Sequence, residues 1–160
     1  MIAEERKNYS NVNSVEEKQA SSILVKPLVD LSTGLFLLRL ILAIVFIAHG
    51  GQKVFGLFGG YGLEGTANFM ATLGIPKFLS YIASLTEFFG ALAVLIGLLT
   101  RPAALGLAIT MIVGILKAHL AGGFFAPNGF EYALTLAFIA TTVFLLGAGK
   151  YSVDEKLFKK

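Results

Sequence analysis

The chain has 160 residues, 56% of them hydrophobic and 14% charged, with a mean hydropathy of +0.77 and no cysteine. A soluble domain of this length carries about a quarter charged residues, so the composition is that of a single-domain membrane protein, and the lack of cysteine excludes a disulfide framework, a dithiol relay, thiolate-bound zinc and cysteine-ligated iron–sulfur clusters. The formal charge of +3 comes from basic residues at the ends of apolar blocks rather than from a patch with exposed aromatics, which speaks against a nucleic-acid surface.

In chain order, residues 1–27 mix both charge signs, lack the apolar run of a signal peptide and read as a disordered tail. Residues 28–149 form the apolar domain. Four blocks within it, at about 34–55, 78–99, 102–120 and 131–147, are read as transmembrane helices, since a hydrocarbon layer of ~30 Å takes about 20 residues at ~1.5 Å each. Thr100-Arg101-Pro102 stops one helix and offers a proline to the first turn of the next, which makes the second loop very short. Between the first two blocks, Leu63, Ala67, Met70 and Leu73 recur at helical spacing between glycine clusters and Pro76, predicting a short interfacial helix. Lys77 is read there as an exposed loop residue without a role. Residues 150–160 form a C-terminal tail. The expected fold is therefore all-α, a polytopic membrane four-helix bundle with a short interfacial helix in the first outer loop.

An even number of spans puts both termini on one side. That side carries Arg6, Lys7, Lys18, Lys26, Arg101, Lys150, Lys156, Lys159 and Lys160, nine basic residues against three on the other, Lys53, Lys77 and Lys117. Positive loops translocate poorly, so both termini are expected in the cytoplasm.

Ionisable residues inside the blocks are the main functional signal, because each costs roughly 2.5–3.5 kcal/mol near the centre of a membrane helix unless it has a partner. On the first span, the turn from Arg39 to Lys53 is about 1400°, close to whole turns, so Arg39, His49 and Lys53 share one arc; His49 and Lys53 are also an i, i+4 pair. Taken singly, Lys53 could snorkel to the headgroups and His49 could be a packing residue; the alignment of all three favours function. Glu87, near mid-membrane on the second span, lies between the expected depths of His49 and Arg39, either of which could hold it. It is read either as half of a structural ion pair or as a proton donor or acceptor for a ligand. Lys117 and His119 are about 200° apart, so only one is expected to face the bundle, and His119 is preferred because the glycine-rich segment after it can fold back over the outer mouth. Glu131 opens the fourth span, where it either caps the helix or joins the pocket. Together these residues predict one polar pocket in the outer half of the bundle. Two histidines with carboxylates could in principle hold haem or a transition metal, but no ligand spacing motif supports it, and no metal is assigned.

Arg39 followed by HGGQKVFGLFGG, Pro76, TEFFGALAVLIGLLTRPAAL, HLAGGFFAPNGFEYAL and GAGKYSVDEKL resembles, in order and spacing, the DoxX family of small four-helix bacterial membrane proteins over roughly Leu35 to Leu157. The resemblance implies a multi-pass protein of the bacterial cytoplasmic (inner) membrane associated with oxidoreductase systems, one relative being a subunit of thiosulfate:quinone oxidoreductase. It implies partners among other membrane or redox subunits, with a homo-oligomer as a further form. Without cysteine, any thiol exchange belongs to those partners.

The leading expectation is a subunit or accessory of a quinone-linked oxidoreductase. In it His49 and Glu87 bond to the oxygens of a quinone and Lys53 stabilises a developing anion, with no cofactor evident in the chain itself. A small-solute or proton permease and a non-catalytic scaffold packing through small residues such as Gly90 and Gly97 are the alternatives. Reporter fusions placed after Phe58 and after Asn128 are expected to report the outside; a cytoplasmic signal at either would reverse the topology.

Overall fold

A computed structural model describes residues 29–158. The tail expected at 1–27 lies outside the described residues, as do the four tail cations, Lys159 and Lys160. Helix α1 is Leu31–Phe55, α2 is Gly62–Thr72, α3 is Lys77–Ile96 and α4 is Thr100–Gly122. Helix α5 is Glu131–Leu146 and a last short helix, α6, is Val153–Phe158. No strand occurs among the described residues.

The protein is an all-α membrane bundle. Helices α1, α3 and α4 are long and apolar enough to cross a bilayer; α5, with 16 residues, is shorter and rises about 24 Å. Each of α1, α3, α4 and α5 packs on its neighbours in that order, and α5 closes the ring against α1. Small residues let the backbones approach: Ala91, Ala104, Ala108 and Ala140 are buried with Leu42, Phe46, Val94, Leu107, Leu136 and Val143. The outward faces are just as apolar. Leu37, Ile41 and Ile44 on α1, Leu105, Ile112 and Leu116 on α4, and Phe138 and Leu145 on α5 are all exposed, the inverse of a soluble helix and what a hydrocarbon solvent requires.

Two ends can be distinguished. At the end where α1 begins and α5 finishes, Arg39 is buried, only 1% exposed. Its guanidinium donates from Nε to the Val94 carbonyl (2.8 Å), from Nη2 to that of Leu95 (2.8 Å), and from Nη1 to those of Ala148 (2.7 Å) and Tyr151 (2.9 Å). Val94 and Leu95 lie in the last turn of α3, where carbonyls lack helical partners and the helix dipole favours a cation. The expectation that Arg39 might hold Glu87 is thereby corrected: it faces the opposite end and serves the backbone. Gly97 closes α3 at φ +72°, and a Cβ there would run into the Arg39 guanidinium and Ser152. Its lack of a side chain is needed for both reasons.

The C-terminal segment continues this cluster. The Asp154 carboxylate accepts from the N–H groups of Leu99 (2.7 Å) and Thr100 (2.9 Å), capping α4, while its own N–H donates to the Gly97 carbonyl (2.8 Å). Desolvation pushes this carboxyl up, but the Thr100 and Leu99 N–H groups, with the charge of Arg39, outweigh it and hold it below the usual aspartate range. The short α3–α4 turn read from Thr100-Arg101-Pro102 is present; Leu99 adopts a left-handed φ of +49° within it.

Replacing Arg39 by Leu frees four buried or part-buried carbonyls at once. The variant is expected to lose at least about 3 kcal/mol of stability in detergent, given roughly 1.5–3 kcal/mol for a hydrogen bond to a charged group. Thermal unfolding measures it, and an unchanged midpoint would mean that these carbonyls find other partners.

Candidate functional site

At the opposite end, α1 and α3 cross almost in contact. A Cβ on Gly50 would sit 2.7 Å from the Phe88 backbone nitrogen, so only glycine permits this approach. The crossing fixes the register: with Gly50 beside Phe88 and the helices antiparallel, Glu87 is level with Gly51, and Lys53 is only about 3 Å further along the axis. Lys53 Nζ accordingly donates to both Glu87 oxygens, at 2.6 Å each. Glu87 is 2% exposed and Lys53 26%. The carboxylate is thus held by Lys53, correcting the expectation of His49 or Arg39. Glu87 sits in a π-helical turn, Thr86–Gly90, and Lys117 and His119 sit in another, Ile115–His119. Such turns insert a residue into a helix and re-aim its side chains.

The pair lines a cavity of about 930 Å³. Its walls are largely apolar, with Phe69, Met70 and Leu73 from α2, Leu79 and Ile82 from α3, and Ile109 and Met111 from α4. The short helix expected from the spacing of Leu63, Ala67, Met70 and Leu73 is α2, and it forms one wall of the cavity, which the spacing did not indicate. It is tied to α1 by Thr66 Oγ1 donating to the Lys53 carbonyl (3.4 Å) and to α3 by Glu64, whose carboxylate pairs with Lys77 (2.6 Å) and accepts from the Tyr81 hydroxyl (2.6 Å). The hydrogen bond from Lys77, then that from Tyr81, holds the Glu64 carboxyl below its usual range. Lys77, read as an idle loop residue, is therefore half of a clasp between α2 and α3. The segment after α4 does fold back over the cavity, contributing Gly122, Pro127 and Asn128.

The remaining predicted site residues divide. Lys117 and His119 both line the cavity, whereas only one was expected to; the separation of about 200° assumed a regular α-helix, whereas α4 ends here in a π-turn and His119, at φ −107° and ψ −19°, departs from ideal helical dihedrals. His49 does not line the cavity. It lies exposed on the α1–α5 flank with its ring 6.4 Å from that of Tyr132, because its position about 80° round from Arg39 carries it off the buried stripe. Glu131 is also outside the cavity wall: its Oε1 accepts from the Ala126 N–H (2.8 Å), so it braces the α4–α5 loop at the head of α5. Arg39 is at the other end altogether. Sequence reasoning missed Gln52, Thr66 and Thr110 on the wall, neutral residues for which a membrane segment gives no cost signal. The arrangement can bind: an apolar chamber with a charged pair on one wall and further basic side chains near its mouth suits a ligand with a polar head and an apolar body.

Residues 34–120 match the DoxX family. The chain is 33% identical over 126 residues to "Putative oxidoreductase CatD" of Bacillus subtilis (strain 168), covering 79% of this chain and 88% of that protein. It is 34% identical over 131 residues to "Inner membrane protein YqjF" of Escherichia coli (strain K12), covering 79% and 94%. To "Uncharacterized membrane protein Rv3486" of Mycobacterium tuberculosis it is 33% identical over 136 residues, covering 77% and 80%. No solved structure matches it.

Removing one member of a buried pair strands the other, at a cost of roughly 3–5 kcal/mol. Lys53→Met is therefore expected to destabilise the protein by about that amount, and Glu87→Leu by less, because Lys53 is part exposed and can turn toward the headgroups. The double variant should recover most of the loss. Additive losses in a thermal double-mutant cycle would show that the two side chains are uncoupled.

Proposed function

The chain belongs to the DoxX family, and from that premise we propose that it is a subunit or accessory of an oxidoreductase system in the bacterial inner membrane, with a cavity that receives the head of a quinone-type lipophilic carrier. The single observation that carries this reading is the Lys53–Glu87 pair, placed on the wall of a largely apolar cavity of about 930 Å³. A buried ion pair is no more stabilising than apolar residues of the same volume, so its position against a cavity favours a role in binding. The oxidoreductase designation of the B. subtilis relative and the inner-membrane designation of the E. coli one support the same reading.

In this reading the head group enters from the membrane side of the chamber. An ammonium has three donors and Glu87 engages two of the bonds that Lys53 makes, leaving one for a carbonyl oxygen. Glu87 accepts from a hydroxyl when the carrier is in its reduced form. The donor role first assigned to His49 passes to Lys53. In this reading a partner subunit supplies the electrons, and this chain supplies the binding groups. The nine-to-three distribution of basic residues supports a cavity facing the outer side, with both termini in the cytoplasm.

Titration of the purified protein with a short-tailed benzoquinone or naphthoquinone analogue tests the proposal. Lys53→Met/Glu87→Leu, in which no charge is stranded, is expected to weaken binding at least about tenfold, the equivalent of ~1.4 kcal/mol, while His49→Ala leaves it unchanged. Equal affinity in the double variant and the unaltered protein would reject the quinone site and leave the pair a structural element.

A further inference from the structure

At the loop end three ammoniums, Lys53, Lys77 and Lys117, lie with three carboxylates, but they do not all pair. Each carboxylate is engaged: Glu87 by Lys53, Glu64 by Lys77 and Tyr81, and Glu131 by the Ala126 N–H. Lys117 and His119, on the π-turn of α4, both line the cavity, yet among the described residues neither has a hydrogen-bonding or ionic partner. The chamber therefore presents one neutralised pair deep on its wall and, on α4, one uncompensated ammonium with an imidazole two residues away. The walls between are apolar.

From this distribution we infer that the cavity selects an amphiphile whose head carries a net negative charge, seated against Lys117 and His119, with its apolar chain along Phe69, Leu73, Ile109 and Met111. The inference rests on the proposed reading of the cavity as a ligand site and goes beyond the quinone reading, because it uses Lys117 and His119 on α4 rather than the Lys53–Glu87 pair that a neutral quinone head would engage. The electrostatic logic is direct. A cation at a low-dielectric wall attracts an anion more strongly than it does in water. A phosphate or carboxylate there can take a charge-assisted bond from Lys117 and a second bond from the His119 ring. A neutral head leaves the Lys117 charge uncompensated, and a cationic head is repelled. Both side chains reach the chamber where α4 ends in its π-turn.

Two sources could supply such a head, an anionic phospholipid of the surrounding leaflet or a free anionic amphiphile, and one experiment separates them. The full chain is reconstituted in phosphatidylcholine nanodiscs and titrated with dodecyl phosphate, dodecanol and dodecyltrimethylammonium, which share a tail and differ in head charge. Dodecyl phosphate is expected to bind at least about tenfold more tightly than dodecanol, with the ammonium weakest. Lys117→Gln/His119→Gln, altered at two exposed side chains, should reduce that preference to less than about threefold. Repeating the titration in discs containing phosphatidylglycerol distinguishes the sources: competition against dodecyl phosphate identifies a lipid headgroup, and undiminished binding identifies a free amphiphile. Equal affinity for dodecyl phosphate and dodecanol in the unaltered protein, or a preference that survives in the double variant, overturns the inference. Failure of the quinone titration alongside an intact phosphate preference rejects only the redox reading.

Discussion

A guanidinium cannot be left bare among apolar helices, and the way Arg39 meets that constraint organises one whole end of the bundle. Its donors go to four backbone carbonyls, two ending α3 and two in the segment after α5. Apart from that of Val94, which also accepts the Gly97 N–H (3.2 Å), these carbonyls depend on the guanidinium where water is scarce. One side chain on α1 therefore fixes where two other segments stop. Gly97 gives it room, and Asp154 adds a countercharge while capping α4. The ring of α1, α3, α4 and α5 is closed at this end by polar bonds and in its middle by alanine-rich packing.

At the other end the same helix carries Lys53, and the constraint runs in reverse. Here the bundle is held open: α1 and α3 touch at Gly50 and Phe88, but beyond that contact α2 and the segment after α4 wall in a cavity. The Lys53–Glu87 bond spans the seam where the closed part gives way to the open one. Such a pair returns little net stability for its desolvation, and here it neutralises Glu87 beside the chamber wall. The clasp of Glu64 on Lys77 and Tyr81 then sets α2 against α3 with surface contacts alone, which are weak and screened.

The two π-turns divide the labour within the chamber. That in α3 carries Glu87, which meets Lys53; that in α4 carries Lys117 and His119, both on the cavity wall. Apart from Glu131, which braces the α4–α5 loop, the charged groups at this end collect on the cavity or on the clasp beside it, and the lipid-facing surfaces of α1, α4 and α5 stay largely apolar. His49 is the exception, and it shares its flank with Tyr132.

Composition and hydropathy alone determined that this is an all-α membrane bundle. The four apolar blocks lie within a few residues of α1, α3, α4 and α5, and the spacing of Ala67, Met70 and Leu73 placed α2, because in a bilayer the backbone must be satisfied within each helix and the apolar pattern is written locally. The cost of burying charge also singled out Arg39, Lys53 and Glu87 as residues needing partners. Who those partners are was decided only by tertiary structure. Depth counted from the ends of two blocks paired Glu87 with His49 or Arg39, whereas the register of α1 on α3 is set by the fit of Gly50 against the Phe88 backbone, and that fit puts Lys53 in reach. Helical arithmetic at 100° per residue placed His49 inside and separated Lys117 from His119. A buried stripe narrower than the arc it shares with Arg39 turned the first outward, and the irregular end of α4, which leaves no mark in hydropathy, put both of the others on the cavity wall.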